Sequence, residues 1–208
     1  MLLYAVTDRA WTGEQTLYEQ VEQALDGGVT CVQLREKGLA EEAFLAEAME
    51  IGALCRAYGV PFLINDSVEI ALACGADGVH VGQSDMDAGR VRAAVGEGML
   101  IGVSARTVEQ AVKARDAGAD YLGVGAVFAT ATKHDAKELP RRDLQDICAA
   151  VDIPVVAIGG IHRENILELT GSGADGVALV SAIFAAKDIE RECRELKELS
   201  RRMVAGAG

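Results

Sequence analysis

The sequence predicts an α/β protein with one domain, a (β/α)8 TIM barrel that spans residues 1–208 and frays over residues 203–208. Two observations favour this fold. Short apolar runs alternate with amphipathic stretches along the whole chain, which is the pattern of alternating strands and helices. A Gly-Ala-Asp tripeptide also recurs at residues 75–77, 118–120 and 173–175, each time between a predicted helix and a predicted strand. The recurrence indicates one repeated βα unit rather than two unrelated domains.

The predicted strands are nearly continuous apolar runs, as expected for parallel strands covered by helices. They comprise residues 2–7, 31–34, 61–64, 78–81, 100–103, 121–124, 154–158 and 176–180. The predicted amphipathic helices comprise residues 16–26, 41–58, 68–74, 88–95, 108–117, 141–150, 163–170 and 187–203. An open doubly wound sheet is the competing fold. It would usually show a GxGxxG segment after the first strand, where this chain has Thr7-Asp8-Arg9.

Charge and cysteine content argue against several classes of function. The formal net charge of −12 disfavours binding to nucleic-acid backbones and to anionic membranes. No apolar run in the sequence reaches the roughly 18 residues of a membrane span. The 5 cysteines include no CxxC pair, so we expect reduced, mostly buried thiols in a cytoplasmic protein. Small molecules are therefore the expected partners, and the sequence leaves homo-oligomer formation open.

Polar residues follow several predicted strands, at the end where barrels of this type carry their active sites. Arg35 and Lys37 follow the second strand, Asn65 and Asp66 the third, and Asp85 the fourth. Carboxylates on adjacent strands, roughly 4.8 Å apart, repel each other unless a cation joins them. Oxygen ligands suit Mg²⁺, so we expect Asp66 and Asp85 to bind Mg²⁺ while the two basic residues hold a diphosphate. The competing interpretation is a set of solvated loop charges.

Two further groups of residues indicate phosphate binding. Gly160, with Val180 and Ser181, follows the seventh and eighth strands, where a phosphate site is common in this fold. The alternative there is a pair of tight turns. The long loop after the sixth strand carries hydroxyls and a cation that suit a mobile phosphate clamp, with a plain surface loop as the alternative. His80 lies within the fourth strand, and we expect a structural role for it.

These strand-end segments resemble the thiamine-phosphate synthase family. The resemblance extends in order from the first strand to Ser181. It rests on the segments at residues 4–9, 32–37, 64–66, 78–86, 101–104, 123–125 and 157–161, together with the threonine-lysine loop. Two departures are Ser67, where family members often carry Arg, and Ala129 with Ala131, where Pro or Ser is common.

The resemblance implies a reaction and a role for each matching residue. Such enzymes join hydroxymethylpyrimidine diphosphate to a thiazole phosphate, releasing pyrophosphate, and also CO₂ when the thiazole is carboxylated. The residues implied for the pyrimidine diphosphate are Gln33, Leu34, Arg35, Glu36, Lys37, Asn65 and Ser104. Those implied for the thiazole phosphate and pyrophosphate are Thr130, Ala131, Thr132, Lys133, Gly160, Val180 and Ser181. The residues expected to take part in catalysis are Arg35, Lys37, Ser104 and Lys133.

Two other functions compete with this interpretation. A thiazole tautomerase, an isomerase on the same fold, keeps the thiazole-phosphate end but does not need the diphosphate and metal residues. A non-catalytic sensor of a phosphorylated ligand would use the same barrel without turnover. The complete diphosphate and metal set favours the synthase over the tautomerase, and loss of turnover in Asp66→Ala would separate an enzyme from a sensor.

Overall fold

A computed structural model describes residues 1–83, 88–130 and 138–206. Within these residues, eight parallel strands form a closed barrel in chain order. Its strands are β1 (Leu3–Val6), β2 (Cys31–Leu34), β3 (Phe62–Asn65), β4 (Gly78–Val81), β5 (Leu100–Ala105), β6 (Tyr121–Gly125), β7 (Val155–Ile158) and β8 (Gly176–Leu179). The sheet closes because β8 pairs with β1, with Tyr4 opposite Ala178. Closure confirms the predicted (β/α)8 barrel and excludes the open sheet.

The helices surround the barrel and connect successive strands. In the described part of the chain they are α1 (Leu17–Asp26), α2 (Glu41–Tyr58), α3 (Val68–Cys74), α4 (Ala88–Val95), α5 (Val108–Asp116), α6 (Arg141–Ala150), α7 (Ser181–Phe184) and α8 (Ile189–Ala205). Side-chain caps fix several starts. Thr16 and Glu19 form a reciprocal capping box at α1, and Ser67 accepts a hydrogen bond from the Ile70 amide at α3. Ser67, a departure from the family pattern, is therefore the N-cap of α3.

Two sequence predictions at the C-terminal end are wrong. The helix predicted over residues 163–170 is instead a single 3-10 turn, Ile166–Leu169. The Asn165 side chain accepts a hydrogen bond from the His162 amide and donates one to the Gly160 carbonyl, and such local bonds compete with a regular helix. The prediction that the chain frays from Met203 is also wrong for residues up to Ala205, because α8 continues to Ala205 and Met203 is buried. Residues 207 and 208 lie outside the described chain.

The core has two layers of different composition. The layer between strands and helices is almost wholly aliphatic, which agrees with an aromatic content of only 4%. The barrel interior holds a smaller cluster: Tyr4, Val6, Cys31, Leu63, Tyr121, Val156 and Ala178. Alternate strand residues point into the barrel, so these positions define which strand residues face inward at the rim.

Arg92 of α4 ties together the turns that lead into β5 and β6. Its guanidinium donates to the carbonyls of Gly96, Met99 and Gly118 at 2.7, 2.9 and 3.0 Å. It also pairs with the Asp120 carboxylate at 2.6 Å. These turns lie at the N-terminal end of the barrel, the end associated with stability rather than chemistry.

The five cysteines are free thiols, four of them buried, as the sequence predicts. Burial raises the pKa of the Cys55 and Cys193 thiols to about 12. Among the described helices, none combines the length and the apolar character that a membrane crossing needs.

Candidate active site at the C-terminal rim of the barrel

The predicted site residues that the structure describes follow strand ends at one rim of the barrel, because the strands are parallel. Gln33 follows Cys31 with the inward side-chain parity, and Ala178 sets the same parity for Val180. Ser104 lies opposite Gly123 in the pairing of β5 with β6, and Asn65 lies opposite His80 in the pairing of β3 with β4. The rim therefore collects polar side chains from separate parts of the sequence.

A cationic cleft of about 330 Å³ opens between the loops that follow β1 and β2. Arg35 and Lys37 both line it, together with Asp8. The Arg35 amide donates to the buried Thr7 hydroxyl at 2.9 Å, which fixes the backbone at the end of β2. The Arg35 guanidinium pairs with the Asp8 carboxylate at 3.4 Å. The lining also includes Arg9 and Glu36, so three cations face two carboxylates, and this excess of positive charge suits an anion.

Glu36 has a different geometry from its neighbours. Its carboxylate pairs with Arg9 at 3.1 Å, and Arg9 in turn contacts Glu47 of α2 at 2.6 Å. The Glu36 side chain is only 5% exposed, and its burial raises the pKa of the carboxyl group. The hydrogen bond that Arg9 donates to the Glu47 carboxylate raises the pKa of Arg9. This bridge ties the β1 and β2 loops to α2, so the Glu36 side chain braces the wall of the cleft.

Asn65 and Asp66 lie at the end of β3 in an unusual backbone conformation. Asp66 has a φ of 66°, the left-handed region that side chains other than glycine rarely adopt. The Asn65 amide donates to the Asp66 carboxylate at 2.7 Å, and the Asp66 amide donates to the His80 carbonyl at 2.8 Å. An exposed carboxylate held in a rare conformation often marks a functional position.

The donor chemistry of Asp66 fits Mg²⁺, which prefers one or two carboxylates and completes its shell with water and phosphate oxygens. Asp85, the second predicted ligand, lies outside the described residues. Within the residues that are described, no group of three or more His, Cys, Asp or Glu side chains is arranged to hold a metal. A site built from one or two carboxylates and a diphosphate needs no such group.

Gln33 and Ser104 connect to side chains in the barrel interior that the sequence did not assign to the site. Gln33 donates to the Tyr4 hydroxyl at 2.7 Å, and His80 lies 3.0 Å from the Ser104 hydroxyl through Nε2. The Tyr121 hydroxyl joins the two halves. The inward parity of Tyr4 and Tyr121 could have identified them as barrel residues, but no sequence signal linked them to the rim.

Gly160 packs against the beginning of the loop after β6. Its φ is +68°, and a Cβ atom there would lie 2.4 Å from the Ala129 carbonyl oxygen. The amides of Val127 and Phe128 donate to the carbonyls of Ile158 and Gly159, each at 3.0 Å, so this loop extends alongside the β7 turn. Glycine is therefore required for the two loops to approach this closely.

Val180 and Ser181 lie at the start of α7, next to the end of β8. The first turn of a helix leaves backbone N–H groups without intrahelical acceptors, and the valine at this N-cap carries no side-chain oxygen to serve as one. The position agrees with the predicted phosphate site. Thr130 is half-buried in the same loop that packs on Gly160. Ala131, Thr132 and Lys133 lie outside the described residues.

A larger, open depression of about 760 Å³ lies on the outer face of α5, between Val108 and Ala117. It contains no strand-end residue and has a mostly apolar lining. The clustered charges, the polar barrel interior and the glycine turn all lie at the rim, so the rim is the candidate active site.

The C-terminal rim of this (β/α)8 barrel collects cations, a carboxylate and a glycine turn of the kind that binds phosphate. This combination defines the class of enzymes that act on phosphorylated small molecules. Comparison with known proteins narrows this class. A family model described as thiamine monophosphate synthase matches residues 3–183, and the chain belongs to this family.

Individual members of the family match this chain over most of its length. The chain is 49% identical over 197 residues to a thiamine-phosphate synthase of Ruminiclostridium cellulolyticum, covering 95% of this chain and 94% of that protein. It is 48% identical over 186 residues to a thiamine-phosphate synthase of Methanobrevibacter smithii, covering 89% and 88%. A solved thiamine phosphate pyrophosphorylase of Pyrococcus furiosus superposes with a TM-score of 0.90 at 36% identity, covering 98% and 96%.

Proposed function

We propose that this enzyme condenses hydroxymethylpyrimidine diphosphate with a thiazole phosphate to form thiamine phosphate and pyrophosphate, and that it needs Mg²⁺. Membership of the thiamine monophosphate synthase family supports a transferase of thiamine biosynthesis. The single observation that carries the choice of substrate is the cleft lined by Arg35 and Lys37 after β2, the strand that pairs with β3. A diphosphate is the leaving group that such a cluster suits.

The chemistry breaks the bond between the pyrimidine methylene carbon and the diphosphate oxygen, and forms a bond from that carbon to the thiazole nitrogen. With a carboxylated thiazole, CO₂ also leaves. The aminopyrimidine ring can stabilise positive charge on the methylene carbon, so no protein nucleophile is required. The main task of the protein is to stabilise negative charge that develops on the leaving diphosphate.

In the proposed site, Arg35 and Lys37 provide that stabilisation from the β2 end. Arg35 is already oriented by Thr7 and Asp8, so little reorganisation is needed when the anion binds. Asp66, with Asp85, would hold Mg²⁺, which when bound would neutralise diphosphate oxygens as a Lewis acid. Asn65 restrains the Asp66 carboxylate through its 2.7 Å hydrogen bond.

The thiazole substrate is proposed to bind across the rim from the cleft. Gly160, Val180 and Ser181 would receive its phosphate, and Thr130, Ala131, Thr132 and Lys133 would approach from the β6 loop. Ser104 would contact the pyrimidine between the two ends. Closure of the β6 loop would exclude water, which otherwise competes with the thiazole nitrogen for the methylene carbon.

The test is to incubate the purified protein with both substrates and Mg²⁺ and to measure thiamine phosphate and pyrophosphate. We expect both products in equal amounts, and none when either substrate or the metal is withheld. Arg35→Lys and Arg35→Gln form a matched pair: the first keeps the charge and the second removes it. We expect Arg35→Gln to lose more activity than Arg35→Lys. Folded protein that makes no thiamine phosphate would overturn the proposal, and interconversion of thiazole tautomers alone would favour a tautomerase.

We also propose that the enzyme acts in the cytoplasm, where its free thiols stay reduced.

A further inference from the structure

A chain of hydrogen bonds crosses the barrel interior from Gln33 to Ser104. Gln33 Nε2 donates to the Tyr4 hydroxyl at 2.7 Å, and the Tyr4 and Tyr121 hydroxyls lie 2.9 Å apart. The Tyr121 hydroxyl lies 2.8 Å from His80 Nδ1, and His80 Nε2 lies 3.0 Å from Ser104 Oγ. We call these five residues the interior relay. Ser104 at one end is proposed above to contact the pyrimidine, and the family resemblance implies the same for Gln33 at the other end.

The packing around the relay leaves its rings little freedom. Tyr4 and Tyr121 meet edge to face with centroids 6.0 Å apart, and both side chains are almost fully buried. A Cβ atom at Gly102 would lie 2.1 Å from the Tyr121 ring, and one at Gly123 would lie 3.0 Å from His80 Cε1. Glycine at these two inward positions makes the space that the rings occupy. The relay is therefore a built feature of the barrel interior and not a chance contact between mobile side chains.

The donor at one end favours one direction for every bond in the relay. The Gln33 amide nitrogen donates to Tyr4. The order in which each group then donates to the next sends the Tyr4 proton to Tyr121 and the Tyr121 proton to His80 Nδ1. His80 then carries its proton on Nε2 and donates it to Ser104 Oγ. Burial raises the pKa of Tyr4 and the pKa of Tyr121 well above the ordinary value of a tyrosine. Each hydroxyl therefore keeps the single proton that this order requires.

This direction decides what the two ends of the relay offer to a ligand. The Ser104 oxygen accepts from His80, so the Ser104 proton remains available to a hydrogen-bond acceptor. The Gln33 amide nitrogen is turned to Tyr4, so the Gln33 carbonyl oxygen remains available to a hydrogen-bond donor. An aminopyrimidine offers both kinds of group: ring nitrogens that accept and an exocyclic amine that donates.

We propose that His80, Tyr121 and Tyr4 are positioning residues that fix Ser104 as a hydrogen-bond donor and Gln33 as an acceptor towards the pyrimidine ring. The inference rests on the proposed function for the identity of the ring. It assigns His80 a role beyond the structural one expected from the sequence. The same five residues with the Gln33 amide turned over would run every bond in the opposite direction and would offer the opposite pattern, so the direction is the quantity to test.

The first experiment measures the position of the His80 proton directly. Protein labelled with ¹⁵N-histidine contains three histidines, and the His80 signals are identified by their loss in His80→Gln. In the unmodified protein we expect the neutral tautomer with the proton on Nε2 and an unprotonated Nδ1. A proton on Nδ1 with an unprotonated Nε2, or protons on both, would overturn the proposed direction. This measurement needs no substrate and no catalytic activity.

The second experiment breaks the relay at its centre. Tyr121→Phe removes the hydroxyl that His80 Nδ1 accepts from, and we expect KM for the pyrimidine diphosphate to rise about tenfold. KM for the thiazole phosphate should not change. Tyr58→Phe is the matched control, because its hydroxyl bonds to Asp26 at 2.8 Å on the outer surface. An equal KM for the pyrimidine diphosphate in both variants would contradict the proposal.

The third experiment tests whether His80 acts through Ser104. His80→Gln keeps an N–H donor at about the position of Nε2, whereas His80→Leu has none. We expect KM for the pyrimidine diphosphate to rise in His80→Leu and to rise much less in His80→Gln. An equal rise in the two variants would contradict the role of His80. The outcomes separate the two claims. If no thiamine phosphate forms while the Nε2 tautomer is present, the proposed function fails and the relay direction stands.

Discussion

Gly160→Ala is the substitution for which the structure gives the clearest expected cost. The left-handed φ of +68° costs an alanine about 1–2 kcal/mol relative to glycine. The new methyl group would also lie 2.4 Å from the Ala129 carbonyl oxygen and 2.8 Å from the Phe128 carbonyl carbon. These are backbone atoms that cannot rotate away, so overpacking adds about 1–3 kcal/mol. We expect a total loss of about 3 kcal/mol in the free energy of unfolding.

Thermal unfolding measures this loss against a matched control. For a chain of this size, about 3 kcal/mol corresponds to a fall in Tm of about 6–12 °C. Gly75→Ala has a similar φ of +64° but nothing within 4 Å of the new methyl group, so it reports the conformational cost alone. We expect its Tm to fall by only about 2–8 °C. Equal Tm values in the two variants would refute the steric part of the reasoning.

The same pair of variants also tests the proposed thiazole-phosphate site. Gly160 lets the β6 loop pack against the β7 turn, so the new methyl group in Gly160→Ala should displace that loop. We expect this displacement to raise KM for the thiazole phosphate by about tenfold at a temperature where the variant is folded. KM for the pyrimidine diphosphate should change much less. Gly75→Ala should leave both KM values unchanged. An unchanged thiazole KM in Gly160→Ala would remove this glycine from the proposed site.

Three further predictions concern charge, stability and pH. Asp66→Asn tolerates the left-handed backbone and removes only the charge, so we expect kcat to fall at least about 100-fold without a change in Tm; unchanged turnover would contradict the metal role. Arg92→Met removes four hydrogen bonds at the opposite end of the barrel, so urea unfolding should show a loss of about 3 kcal/mol while kcat below the unfolding transition is unchanged. The buried Cys55 thiol has its pKa raised from 9.0 to about 12, so its contribution to stability is complete below pH 9 and is lost as pH rises from 9 towards 12, at about 1.4 kcal/mol per pH unit. The free energy of unfolding, measured with urea across that pH range, should therefore fall less steeply with pH in Cys55→Ala than in the unmodified protein. Equal slopes would contradict a contribution from the Cys55 thiol.

Much of the fold could be predicted from the sequence because its signals are local. The helices over residues 41–58, 68–74, 88–95 and 141–150 begin and end where periodicity predicts. The prediction of a helix over residues 163–170 was wrong because the Asn165 side chain forms hydrogen bonds within a turn, and periodicity does not report such bonds. A pattern of apolar residues reports which face is buried, and it does not report where backbone groups find their partners.

The rim cluster was also predictable, because parallel topology alone brings every strand end to one side. Arg35 and Lys37 do line one cleft, and Asn65 does contact Asp66. The orientation of Glu36 was not predictable. Its partner Arg9 follows β1, and Arg9 is held in turn by Glu47 of α2, so only the arrangement of these residues in space turns the Glu36 carboxylate onto Arg9.

The sequence by itself therefore determined the barrel, its family and which of the described residues follow strand ends at the rim, since each follows from local periodicity, strand order and motif. The tertiary structure alone decided the interior relay. Tyr4 and Tyr121 are 117 positions apart, and their hydroxyls meet only because barrel closure brings β1 and β6 to face each other across a space that Gly102 and Gly123 leave open. The direction of a hydrogen bond depends on which partner lies at its far end, and that is a property of the folded chain.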